Sequence, residues 1–79
     1  MYKLYSIYDR VAGVYATPFL SANDASAIRY YRYTMSKSEM VAEDTALYVV
    51  GSMDQNTGVI VPGIQFLVNY VGDDINEEK

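Results

Sequence analysis

The chain has no cysteine, no histidine and no tryptophan, and only two of its 79 residues are proline. Without cysteine there is no disulfide to reinforce a small fold and no thiol nucleophile. Without histidine there is no His-assisted triad and no ordinary structural zinc site. The five glycines (13, 51, 58, 63 and 72) are scattered singly, so no phosphate-cradling loop is present. Long apolar runs are also missing. The stretch 57–71 is interrupted by Gly58, Pro62, Gly63, Gln65 and Asn69, too often for a membrane span. The N-terminal residues show no signal-peptide pattern, which makes the cytoplasm the expected location. Carboxylates remain, as the adjacent pairs Glu43-Asp44 and Asp73-Asp74, but neither has the alternating spacing of a calcium loop. The expectation is a protein that is not an enzyme and holds no metal or cofactor.

What the chain does have is tyrosine, nine residues of it, within a composition that is 51% hydrophobic. That apolar content suits a folded domain rather than a disordered chain. At this length there is one domain, which buries only about 60% of the surface its unfolded chain exposes. Charge is unevenly spread. Of the net −4, the segment 72–79 supplies −3 through Asp73, Asp74, Glu77, Glu78 and Lys79, leaving −1 for the rest. The division read from this is a globular domain over 1–71 and an acidic tail over 72–79.

Periodicity gives the elements. Residues 2–8 alternate with period two, and tyrosines recur along them, as in a strand. A turn at 9–13 leads to a short strand at 14–17, ended by Pro18. Ser21 or Asn23 can cap a helix over 23–36, with Asp24 in its first turn. Ala27, Ile28, Tyr31 and Met35 form its apolar stripe, and Arg29, Arg32, Tyr33 and Ser36 lie opposite. Residues 37–44 read as a polar loop, and 45–54 as a strand with Leu47 and Val49 alternating against Tyr48 and Val50. A hairpin connection at 54–58 precedes strands at 59–61 and 64–71, the last with Ile64, Phe66, Val68 and Tyr70 on one face. The order β-β-α-β-β-β implies an α+β fold: a small antiparallel sheet of four to five strands with one helix packed on one face. The uncovered face must carry Tyr, Thr and Ser or meet another subunit, which makes a homodimer an expectation.

Several of these segments resemble one family. Tyr5-Ser6-Ile7-Tyr8-Asp9, Pro18-Phe19 and Ala27-Ile28-Arg29 with Tyr31 are followed by Asp44, Leu47-Tyr48, Val50-Gly51, Asp54 and Thr57-Gly58. In this order they are similar to the small nonstructural protein of gokushovirus-type microviruses, bacteriophages with circular single-stranded DNA, over residues 5–60 or so. The chain departs from that family at Tyr31, often Phe there, and at 37–43, a loop more basic in the family. The resemblance implies an accessory role in the host bacterial cytoplasm, in the switch from duplex replication to single-strand synthesis and packaging.

Binding to single-stranded DNA requires cations for phosphates and aromatic faces for bases. The candidates are Lys3, Arg10, Arg29, Arg32 and Lys37, with Tyr5, Tyr8, Tyr15, Tyr30 and Tyr33. The alternative is an interaction module that meets a phage replication or assembly protein, or a host factor, through its tyrosines. The near-neutral body suits this second reading.

Overall fold

The computed structural model describes residues 2–37 and 42–70. Strand β1 (Tyr2–Asp9) turns into β2 (Val14–Tyr15) and β3 (Phe19–Ser21), helix α1 (Asp24–Ser36) follows, and β4 (Thr45–Met53) and β5 (Ile60–Asn69) close the fold. All pairings are antiparallel. The sheet runs β2-β1-β4-β5, with β3 sharing the outer edge of β1 with β2. The α+β architecture and the five strands agree with the periodicity. The strands are divided three before the helix and two after it.

Two local events produce that division. β2 pairs only through Tyr15 rather than to residue 17, and after Pro18 the chain pairs again with the start of β1 as Phe19–Ser21. Between the two short strands, Ala16 N donates to Ile7 O at 2.8 Å. The buried Ser6 hydroxyl donates to Ala16 O at 2.7 Å. At the other end of the chain, Pro62-Gly63 does not separate two strands, because β5 is an edge strand and an edge tolerates a residue without an N–H.

Helix α1 covers one face of the sheet. Asn23 caps it, its side-chain oxygen accepting from Ser26 N at 2.8 Å. Ala27 and Tyr31 are fully buried against Tyr5 and Leu47, and Ile28 and Met35 pack at the margin as the stripe implies. Burying a large apolar side chain contributes roughly 1.5–3 kcal/mol, which makes Tyr5, Tyr31 and Leu47 large contributors to the core. The Tyr31 hydroxyl is hydrogen-bonded to Thr45 Oγ1 at 2.8 Å, and Thr45 in turn donates to Ala42 O at 2.7 Å.

Register shifts in β5 decide which of its side chains reach that core. Val68 pairs with Leu47 but Phe66 pairs with Tyr48, leaving Leu67 as an extra residue. A bulge of this kind re-aims the chain by one position. Val68 and Tyr70 therefore pack toward the helix, whereas Phe66 joins the opposite face. The expected single face of Ile64, Phe66, Val68 and Tyr70 is split by that bulge. The chain turns tightly at Gly58 (φ +78°), where Gly58 N donates to Asp54 O at 2.7 Å. The acidic tail over 72–79 and the middle of the 37–44 loop lie outside the described residues.

Gly51 sits opposite Pro62, and a Cβ there would lie 2.7 Å from Val61 O, a backbone atom that cannot swing away. Gly51→Ala is expected to destabilise the fold by about 1–3 kcal/mol in urea unfolding. Gly63→Ala, whose Cβ would meet nothing within 4 Å, should cost clearly less.

Candidate nucleic-acid interface

Alternation along β1 sends Tyr5 and Ile7 toward the helix and Ser6 and Tyr8 to the other face. Pairing then assembles aromatic rings on that open face. Tyr15 of β2 lies across from Tyr8, with ring centroids 4.6 Å apart. Tyr48 of β4 meets Tyr8 at 5.9 Å and Tyr15 at 5.6 Å, edge to face in both cases. Phe66 of β5 stands on the far side of Tyr48 at 5.7 Å, again edge to face. Four rings thus run across β2, β1, β4 and β5 without a break. Tyr15 is 46% exposed and Phe66 51% exposed, with Tyr48 between them, so two half-free rings flank a central one.

Tyr8 and Tyr15 are thus brought together, while Tyr48 and Phe66 were not among the residues singled out by sequence. The signal for Tyr48 was present, since it alternates against the core residues Leu47 and Val49. Phe66 was hidden by the bulge at Leu67, which no periodicity announces.

Tyr5 is corrected outright. Its ring is fully buried in the core and stacks at 5.7 Å on Phe19, so no base can reach it. Its hydroxyl donates to Asp24 Oδ1 at 2.7 Å, and Lys3 Nζ contacts the same oxygen at 3.1 Å. These bonds pin the first turn of α1 to β1. The hydrogen bonds from Tyr5 and then from Lys3 hold the Asp24 carboxyl below its ordinary value. Burial first, then the bond to Asp24 and its charge, push the Tyr5 hydroxyl well above its ordinary value.

The remaining candidates lie elsewhere. Arg10 is paired with Asp44, Nη2 to Oδ1 at 2.6 Å. Arg29 and Tyr30 are exposed on the helix, with the Tyr30 ring 4.7 Å from Phe19. Tyr33 is exposed beneath the Lys37 ammonium, 4.6 Å from its centroid. Arg32 is only partly exposed. The helix cations and the open-face rings are therefore on opposite sides of the sheet. The helix offers cations and rings of its own, Arg29, Tyr30, Tyr33 and Lys37 all being exposed along it, apart from Tyr8 and Tyr15 on the open face. Beside Tyr8 and Tyr48 a cleft of about 160 Å³ is lined also by Arg10, Glu43, Asp44, Thr45, Ala46 and Asn69, one cation with two carboxylates. Among the described residues, no cluster of three or more carboxylates is arranged to hold a metal ion. No helix among them is long and apolar enough to cross a membrane.

Fold and site define a small α+β protein with one sheet face covered by a helix and the other given to aromatic rings. Residues 2–72 match the family model described as Phage ORF5 protein, and the chain belongs to that family of bacteriophage proteins. Comparison with curated proteins and with solved structures returns no match.

Asp24→Ala leaves the buried Tyr5 hydroxyl without its acceptor and is expected to cost about 1–3 kcal/mol at pH 7. The pH dependence has a definite sign. The folded carboxyl has the lower pKa, so the unfolded chain binds more protons in acid, and the contribution of Asp24 disappears as pH falls through its folded value. Urea titrations should therefore show the wild type and Asp24→Ala converging below the ordinary carboxylate range. At the alkaline end the raised Tyr5 pKa makes stability fall as pH rises above about 10, where the unfolded phenol ionises first.

Proposed function

We propose that this chain is a non-enzymatic accessory protein of a gokushovirus-type phage that binds single-stranded DNA on its open sheet face. Its place is the host bacterial cytoplasm, and its task is the switch from genome replication to single-strand synthesis or packaging. The observation that carries the reading is the continuous row of Tyr8, Tyr15, Tyr48 and Phe66. Domains that read unpaired strands commonly stack two or three bases on aromatic side chains of an open sheet. Tyr15 and Phe66, half exposed on either side of Tyr48, are the natural stacking positions. Each base–aromatic stack contributes about 1–3 kcal/mol.

The charge arrangement predicts the character of binding. Among the described residues, Arg10 is the cation that lines a cleft with the rings, and it is paired with Asp44. Affinity then comes from stacking more than from phosphates, and salt dependence is shallow. A second reading, a protein-interaction module for a phage replication or assembly protein or a host factor, is favoured by the same fact. Lys3 and Arg10 are both bound to carboxylates, and the helix cations stand across the sheet from the rings.

Fluorescence anisotropy with labelled oligo-dT separates the two. The expected result is binding with a log–log salt slope of no more than about 0.7, one single-strand phosphate contact. Tyr15→Ala and Phe66→Ala should each weaken it by about 1–3 kcal/mol. Absence of binding at about 50 mM salt and micromolar protein, where phosphate contacts are strongest, would remove the DNA reading and favour the protein partner.

A further inference from the structure

The Arg10–Asp44 pair occupies a peculiar place. The Arg10 backbone N–H donates to Asp44 O at 2.9 Å, and its guanidinium reaches the Asp44 carboxylate at 2.6 Å, so main chain and side chain repeat the same link. The backbone bond joins the end of β1 to the residue before β4 whether or not the side chains touch. The side-chain pair adds little to that. Its partners are 67% and 33% exposed, and such exposed pairs contribute about 0.2–1 kcal/mol. The guanidinium is nonetheless on the rim of the cleft that Tyr8 and Tyr48 line. In the single-strand reading, a strand stacked on Tyr8 and Tyr48 brings its backbone within reach of Arg10, which lines the same cleft.

We propose that Arg10 is the phosphate-contacting residue of the aromatic face and that Asp44 is its built-in competitor, occupying the guanidinium until a backbone phosphate displaces it. This rests on the single-strand reading above. Phosphate and carboxylate oxygens both accept charge-assisted hydrogen bonds from a guanidinium, so a phosphate oxygen can take the place of Asp44 Oδ1 on Arg10 Nη2. The exchange is cheap because the pair is weak and its backbone tether stays in place. Asp44 then lowers affinity for single-stranded DNA and removes one contact's worth of salt dependence at low strand concentration.

The test is a double-mutant cycle, with oligo-dT as probe and thermal melts to confirm folding. Asp44→Asn keeps the backbone bond and frees the guanidinium. It is expected to tighten binding about two- to fivefold, the equivalent of a weak exposed pair. It should also steepen the salt slope by about 0.7, one single-strand phosphate contact. In an Arg10→Ala background the same substitution should change neither quantity. Equal tightening with and without Arg10 would mean that only negative charge was removed, and would overturn the proposal. So would unchanged binding by Asp44→Asn alongside a wild type that binds and responds to Tyr15→Ala, a result that leaves the ring face intact as a reading. Absence of binding by both the wild type and Asp44→Asn would overturn the proposal and the single-strand reading together.

Discussion

One helix cannot cover both faces of a five-stranded sheet, and the rest of this molecule follows from that constraint. The 13 residues of α1 seal Tyr5, Leu47 and their neighbours on one side. The other side has nothing laid over it among the described residues. A bare aliphatic face would associate indiscriminately. Rings with a hydroxyl at one end solve this by packing against one another through their edges while leaving polar tips in water. Tyr8, Tyr15 and Tyr48 pack against one another in this way, whereas the edge strand β5 leaves Ile60, Val61, Ile64 and Phe66 more than half exposed. A face that is stable when exposed is also a face able to receive another flat ring system, so the structural solution and the proposed function use the same side chains.

The scarcity of cations beside the sheet rings sets the character of the proposed function. The helix carries Arg29 and Lys37 beside exposed rings of its own, Tyr30 and Tyr33, whereas on the open sheet face Arg10 lines a cleft with Tyr8 and Tyr48. Proteins that hold nucleic acid mainly through phosphates lose affinity steeply with salt. In the single-strand reading proposed above, this chain works in the other regime, in which stacking contributes most and cations only adjust. The Asp24 carboxylate has a different task, holding Lys3 and the buried Tyr5 hydroxyl at the start of the helix. Its charge is spent on the fold, not on a ligand.

Much of this was legible in the residues, because the periods are clear where the chain is regular. The helix, its cap at Asn23 and its stripe of Ala27, Tyr31 and Met35 follow from a 3.6-residue repeat, and the sheet from alternation in β1 and β4. What escaped was governed by register. Whether Phe19–Ser21 pairs again after Pro18 depends on the free edge of β1. Whether Pro62-Gly63 breaks a strand depends on whether that strand is an edge. The bulge at Leu67, which moves Phe66 to the ring face, depends on how β5 fits β4 and not on its own pattern. For the site, alternation already puts Tyr5 and Tyr8 on opposite faces of β1, as the structure has them; what it does not say is which of the two faces the helix covers, and so which tyrosine is in the core.

The most direct measurement is photo-crosslinking of the protein to a single-stranded oligonucleotide carrying 5-iododeoxyuridine, with the attached residues located by mass spectrometry. The account predicts adducts on Tyr15, Tyr48 and Phe66. Adducts confined to Tyr30 and Tyr33 would place the strand on the helix and contradict it.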